Sequence, residues 1–189
     1  GVKVFLDDYA YLVQLMINFY EITGEASYLN SAKEMGQKTW DLFFDKDNEI
    51  LQKNLVEKND LFVKPSDVND SNIPNGNSIF LLNCKKLEAI TGEVKWQSMA
   101  KKLTQSFHSF LNLQSTQMVS YIKNLDMCEE LQTFSFFGDF NKNKELHQYV
   151  KKNYLKSSTF IYKHDSKENY LIVCKNQTCS NKIKTIEEL

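Results

Sequence analysis

Hydrophobic positions form two kinds of segment in the first part of the chain. From Asp8 to Ile22 nearly every residue is apolar, which is the pattern of a helix buried on all sides. From Tyr28 to Phe43 the apolar residues lie three and four apart, and this spacing predicts an amphipathic helix with one solvated face. Gly24 lies between the two segments and suits the left-handed position after a helix end.

The same pair of segments recurs about 68 residues later. Ser78–Ile90 is again mostly apolar, and the segment from Trp96 to Leu111 is again amphipathic. The turn Thr23-Gly24-Glu25 matches Thr91-Gly92-Glu93 in this register, and a third buried-type helix is predicted over Thr116–Leu131. Repeated hairpins of this kind favour an inner ring of buried helices and an outer ring of amphipathic ones, an α/α toroid. A helical bundle or solenoid built from the same hairpins is the alternative.

The last third of the chain has a different pattern. Short β-type runs and one helical segment alternate there: Thr133–Phe137, Lys144–Tyr154, Ser158–Tyr162 and Tyr170–Cys174. They predict a small β-α-β-β lobe. We therefore expect a mainly α protein, with a partial α/α toroid of helical hairpins over residues 1–131 and a small C-terminal α/β lobe over residues 132–189.

The composition makes some classes of binding partner less expected for this protein. The net charge is −1, and the 23 basic residues are all lysine, so the side chain best suited to bidentate phosphate and guanine contacts is missing. No apolar run approaches the roughly 18 residues of a membrane span, and no signal-peptide pattern is present. We therefore expect no nucleic-acid partner, no membrane partner and no cofactor, and we expect a cytoplasmic, reducing location.

Two polar motifs are predicted to meet at one end of the helical region. The inner helices of such hairpins run parallel, so their N-termini lie at the same end of the helical region. Asp7 and Asp8 are at the start of the first inner helix, and Asn75-Gly76-Asn77-Ser78 is at the start of the second. The long loop that contains Asp67 and Asp70 returns to that same end. Free N–H groups and carboxylates together suit a polyhydroxyl or anionic ligand and acid–base chemistry.

Helix capping is the competing interpretation of these residues. Asp7, Asn77 and Ser78 are favourable N-cap residues, whereas Asp8 and Asp70 are harder to explain as caps. We therefore assign Asp8 and Asp70 the catalytic role. The expected ligand-binding residues are Asp7, Tyr9, Asp67, Asn75, Gly76, Asn77 and Ser78, with Tyr9 stacking on the ligand.

The cysteines and histidines indicate a functional site less clearly than the polar motifs do. Cys174 and Cys179 form a Cys-x4-Cys pair at the end of a predicted strand. Two such thiols can form a disulfide or half of a metal site, but unpaired cysteines are the default expectation, and the pair is kept as a redox candidate. The three histidines have no metal-ligand spacing, so we expect them to be surface or structural residues and we predict no metal site.

The ordered set of motifs resembles the C-terminal part of the YyaL / spermatogenesis-associated thioredoxin-domain-containing family. The motifs are Phe5-Leu6-Asp7-Asp8-Tyr9-Ala10, Thr-Gly-Glu, Val63-Lys64-Pro65-x-Asp67, Pro74-Asn75-Gly76-Asn77-Ser78, Val173-Cys174-x4-Cys179 and Glu187-Glu188-Leu189. The chain departs from the family pattern at Lys64, where arginine is usual, at Asn75, where serine is usual, and at Asn69-Asp70-Ser71, where an aromatic residue, Asp and Gly are usual.

The resemblance implies a C-terminal fragment of a six-hairpin toroid similar to N-acylglucosamine 2-epimerases, in a protein with an N-terminal thioredoxin-like domain. It adds Lys64 to the expected ligand-binding residues. The implied function is sugar binding or an isomerase-like or epimerase-like activity, with a sugar-like small molecule and the thioredoxin-like domain as partners. The alternative is a non-enzymatic scaffold for the thioredoxin-like domain, with Cys174 and Cys179 as its redox contact.

Overall fold

The computed structural model describes residues 5–54, 68–154, 157–176 and 178–189. The chain divides into two compact units, the first formed by Gly1–Tyr20 with Glu25–Asp126 and the second by Glu21–Gly24 with Met127–Leu189. The predicted boundary after residue 131 therefore falls inside the second unit. Among the described residues, no helix is both long and apolar enough to cross a membrane.

The first unit is helical, and its described helices lie where the hydrophobic pattern predicts them. They are α1 (Leu6–Thr23), α2 (Ala26–Phe43), α3 (Gly76–Thr91), α4 (Val94–Gln114) and α5 (Val119–Glu129); the last residues of α1 and of α5 belong to the second unit. Part of the predicted long loop instead forms a short antiparallel hairpin of β1 (Phe44–Asp45) and β2 (Ile50–Leu51). The mainly helical fold class is thus confirmed.

Helix α3 is the centre of the first unit. Asn75 caps its first turn by accepting a hydrogen bond from the Asn77 N–H (2.9 Å), and Gly92 ends it in the left-handed conformation that glycine adopts without strain. Residues 76 to 84 of α3 are all buried. Trp96 of α4 is also buried, and a Cβ at Gly36 of α2 would lie only 3.0 Å from its ring. Glycine at that position therefore permits the close approach of α2.

One hydrogen bond recurs between successive inner helices. The Asn83 amide of α3 donates to the Ala10 carbonyl of α1 (2.8 Å), and the Asn124 amide of α5 donates to the Ser78 carbonyl of α3 (3.0 Å). Ala10 and Ser78 are equivalent positions in the sequence repeat. In both bonds an asparagine donates, and the accepting carbonyls are equivalent. The contact of α3 with α1 therefore has the same register as the contact of α5 with α3.

Helix α1 differs from its prediction. The sequence predicts burial on all sides, but only one face, with Val13 and Ile17, is fully buried, while Leu12, Leu15 and Phe19 are exposed. An all-apolar sequence predicts burial but cannot specify how many neighbouring helices surround the helix.

The described residues of the second unit form a four-stranded sheet and the helix α6 (Lys144–Asn153), with a short 3-10 turn at Ile186–Glu188. Its elements are β3 (Gln132–Phe137), α6, β4 (Ser158–Lys163), β5 (Tyr170–Lys175) and β6 (Thr178–Cys179), with strand order β4-β3-β5-β6. Strands β3 and β4 pair in parallel, and β5 pairs antiparallel with both β3 and β6. Phe134 and Phe136 alternate with less buried residues along β3, and Phe160 of the largely buried strand β4 joins them in the core. The predicted β-α-β-β order is observed, with β6 as an addition.

Candidate functional site at the helix N-termini

Asp70 connects the segment before α3 to the start of α5. Its Oδ1 accepts a hydrogen bond from the Asn75 N–H (2.9 Å), and its Oδ2 accepts one from the Ser120 N–H (2.7 Å). The Ser120 hydroxyl donates to the same carboxylate. A carboxylate at a helix N-terminus satisfies free N–H groups and interacts favourably with the helix dipole. Asp70 is therefore a capping residue, although the sequence analysis considered it a poor candidate for that role.

Asp7 makes the matching contact on the other side of α3. Its Oδ1 accepts a hydrogen bond from the Gly76 N–H (2.8 Å), at the first residue of α3. A Cβ at residue 76 would lie 2.4 Å from that same oxygen. The carboxylate of α1 thus reaches the backbone of α3 only because residue 76 is glycine.

Tyr11 shows that the two carboxylates share one small region. Its hydroxyl donates to the Pro74 carbonyl (3.2 Å). Burial, followed by the negative charges of Asp7 and then Asp70, raises the pKa of this hydroxyl. We call the group Asp7, Tyr11, Asp70, Asn75 and Ser120 the rim. Ser120 was not among the residues predicted from the sequence, and Tyr11 lies one turn after Asp7.

Two buried side chains stabilise the rim from inside. The Ser78 and Ser120 hydroxyls are 2.6 Å apart, and both residues are buried. The Asn77 side chain accepts a hydrogen bond from the Leu51 N–H (2.9 Å) and donates to the Leu51 carbonyl (2.8 Å). Asn77 therefore anchors β2 to α3 and is not the cap of α3, a position that Asn75 occupies.

The remaining predicted site residues of α1 lie at the same end. Asp8 is exposed in the first turn, and within the described residues its carboxylate makes no hydrogen bond. Tyr9 is half-buried, with its ring 5.5 Å from the Phe43 ring and the Lys38 ammonium 5.9 Å above it. Lys64 and Asp67 lie outside the described residues.

Cys174 and Cys179 form a disulfide across the β5–β6 pair, where they are directly opposite each other. The default expectation of unpaired cysteines is therefore wrong for this pair, because the antiparallel register brings the two side chains together. Cys179 is exposed and Cys174 partly so. In the described part of the chain, no group of three or more potential ligand side chains could hold a metal ion.

A buried polar cluster in the second unit has no counterpart in the sequence analysis. The Thr159 hydroxyl donates to the Glu21 carboxylate (2.7 Å), and the Tyr162 hydroxyl donates to the Glu21 carbonyl (2.7 Å). His147 Nε2 is hydrogen-bonded with the Tyr162 hydroxyl, and burial lowers the pKa of His147 to about 4. The expectation of a structural role for the histidines fits His147, which is neutral at pH 7. The sequence could not predict the contact between Glu21 and His147, because the two residues are 126 positions apart.

An open depression of about 500 Å³ lies elsewhere in the first unit. It is lined by side chains of α2 and by Lys95 of α4, with charges of both signs, and by no residue of the rim. Searches found no protein-family model and no curated protein that matches this chain.

Proposed function

We propose that the rim binds a polyhydroxyl, sugar-like small molecule and that the helical hairpins of the first unit are part of an α/α toroid. The observation that supports this most strongly is the convergence of Asp7, Tyr11 and Asp70 on the first turn of α3, with the exposed carboxylate of Asp8 at the same end. The exposed carboxylate of Asp8 and the lone pairs that the other oxygens keep supply acceptors for ligand hydroxyls. The family resemblance described above implies the same class of ligand.

The side chains Asp70, Asp8, Tyr9 and Tyr11 have different roles in this proposal. Both oxygens of Asp70 already accept hydrogen bonds, so Asp70 is suited to holding the rim in place rather than to transferring a proton. Asp8 is the carboxylate left for direct contact with a hydroxyl and for acid–base chemistry of the isomerase or epimerase type. Tyr9 and Tyr11 offer aromatic faces beside it.

A thermal-shift screen of the wild-type chain against monosaccharides and amino sugars tests the proposal. A ligand that binds only the folded state stabilises it by RT ln(1 + [L]/Kd) and so raises the melting temperature as the ligand concentration rises. We expect a positive shift that Asp8→Asn removes and that Asp126→Asn keeps, because Asp126 is also an exposed aspartate but lies in a later turn of α5. The absence of a shift with every sugar would contradict the proposal.

A second candidate function is a non-enzymatic module that binds a thioredoxin-like domain. The observation that favours it is the exposed Cys174–Cys179 disulfide, because a thiolate can attack a disulfide sulfur only where it has access. Thiol labelling followed by mass spectrometry, with and without reduced thioredoxin, tests this candidate. If this candidate is correct, treatment with reduced thioredoxin makes both thiols available for labelling. A disulfide that dithiothreitol reduces but reduced thioredoxin leaves intact would rule the candidate out.

A further inference from the structure

A short stretch of the second unit lies along the edge of β5 that β3 does not occupy. Residues 178–183 form this stretch, which we call the edge segment. The Ser180 N–H donates to the Val173 carbonyl (2.8 Å), and the Val173 N–H donates to the Ser180 hydroxyl (3.1 Å). Ile183 and Leu171 exchange two backbone hydrogen bonds, of 2.8 and 2.9 Å. The edge segment thus satisfies backbone groups of β5 that an uncovered sheet edge would leave unpaired.

Little apolar burial holds the edge segment in place. Ile183 is only 7% exposed, but every other residue of the segment is exposed. The Lys182 ammonium lies 3.0 Å from the Glu168 carboxylate, yet both side chains are more than half exposed, and ion pairs of this kind contribute little to stability. Because burial of apolar surface is the dominant favourable term in folding, the noncovalent contacts attach the edge segment only weakly.

The disulfide is the covalent link between the edge segment and β5. Cys174 lies in β5 and Cys179 in β6, directly opposite each other. The β5–β6 ladder has one further residue pair, Lys175 with Thr178. A crosslink stabilises the joined state because it limits the conformations open to the separated one. Without the disulfide, the attachment of the edge segment therefore depends on backbone hydrogen bonds and on the burial of Ile183.

A depression in the same unit also depends on the position of the edge segment. Residues 184–187 follow the edge segment directly and form one wall of this depression, whose volume is about 270 Å³. Lys142, Glu145 and Leu146, around the start of α6, form the other wall. A change in the attachment of the edge segment is therefore transmitted to the shape of this depression.

We propose that the Cys174–Cys179 disulfide is a redox-sensitive clip, which holds the edge segment on β5 when oxidised and releases it when reduced. Reduction uncovers the edge of β5, where another strand can add, and opens the depression beside α6. The clip requires neither a ligand at the rim nor a thioredoxin-like partner. It therefore goes beyond both candidate functions, and its test can fail or succeed independently of theirs.

The reductant of the clip is a dithiol. Its thiolate attacks the sulfur of Cys179, the more exposed of the two cysteines, and forms a mixed disulfide. The Cys174–Cys179 bond breaks in this step, and Cys174 leaves as a thiolate that takes up a proton. The second thiol of the reductant then displaces Cys179, which also takes up a proton. The products are two protein thiols and the oxidised, cyclic or bridged form of the dithiol.

Amide hydrogen exchange of the full chain, followed by NMR before and after reduction with dithiothreitol, tests the clip. The reporting amides are those of Leu171, Val173 and Ile183, because each donates across the contact between β5 and the edge segment. The Gly138 amide is the reference in the same unit, since it donates to the Lys163 carbonyl (2.9 Å). We expect reduction to accelerate exchange of the reporting amides by about tenfold and to leave the Gly138 amide unchanged.

Two variants separate the clip from other effects of the reductant. The double variant Cys174→Ser with Cys179→Ser should exchange rapidly at the reporting amides with and without dithiothreitol. Cys128→Ser removes a cysteine of the same unit that lies outside the disulfide, and it should respond like the wild type. Equal exchange of the reporting amides in the oxidised and reduced chains, an equal acceleration at Gly138, or a chain in which oxidised glutathione forms no Cys174–Cys179 bond would overturn the inference.

Discussion

Protonation of His147 should destabilise the second unit as the pH falls. Burial lowers the pKa of His147 to about 4 from its ordinary value of 6.5. An unfolded chain therefore binds a proton at this histidine below pH 6.5, whereas the folded chain does not until about pH 4. Because the unfolded state binds more protons in this window, the contribution of His147 to stability is complete above pH 6.5 and is lost as the pH falls.

The size of the effect follows from the shift. One pKa unit corresponds to 1.36 kcal/mol, so the loss is about 2 kcal/mol at pH 5 and about 3 kcal/mol at pH 4. Other groups near the ring also carry charge, namely Glu21 from α1 and Lys151 from α6, whose own pKa is lowered by burial. A comparison with His147→Gln isolates the histidine, because the other groups titrate in both proteins.

The assay is urea unfolding of wild type and His147→Gln at pH 7 and pH 5, followed by the NMR signals of ring protons in the second unit. His108→Gln is the control, since His108 is exposed on α4. We expect the wild type to lose about 2 kcal/mol more than His147→Gln between the two pH values. Equal losses in the two proteins, or a His147 ring that titrates near its ordinary pKa in the folded state, would refute the reasoning.

Three substitutions in the first unit follow the same logic, and tryptophan fluorescence reports on them because both tryptophans lie in that unit. Asp70→Ala should lower the free energy of unfolding by about 3 kcal/mol, since it leaves backbone N–H groups of two helix starts without an acceptor, whereas Asp126→Ala should change it by less than about 0.5 kcal/mol. Equal effects of these two would contradict the capping role. Gly76→Ala should cost about 1 to 3 kcal/mol because its Cβ would displace the Asp7 carboxylate, and an unchanged urea midpoint would argue against that close approach. Asn83→Ala should cost about 2 kcal/mol by removing a buried interhelical hydrogen bond and leaving a cavity; a neutral result would mean that the recurring bond does not hold the inner helices.

Periodicity was sufficient to predict the α-helices and strands β3, β4 and β5, but not the short strands β1, β2 and β6. The apolar run of α1, the amphipathic spacing of α2 and α4, and the alternation in β3 each depend on residues close in sequence, and these elements are found where they were expected. The end at which Asp7 and Asp70 meet also followed, because the direction of each helix fixes which ends are neighbours.

Contacts between distant residues could not be predicted in the same way. Asp70 caps α5 only because the segment before α3 docks beside Ser120, which is 50 residues away. The burial of His147 and the open face at Leu15 likewise depend on which elements are neighbours in space. Local pattern specifies that a helix has an apolar face, but the partner of that face is set by tertiary packing.

The most direct test of the proposed rim is an amide NMR titration of the wild-type chain with the sugars of the screen. We predict saturable shifts at the Gly76 and Ser120 amides, because these N–H groups donate to Asp7 and Asp70 and would sense a ligand at the carboxylates. We also predict that Asp8→Asn abolishes the shifts while Asp126→Asn preserves them. Saturable shifts confined to other residues, or no shifts with any sugar, would contradict the central claim that this rim is a ligand site.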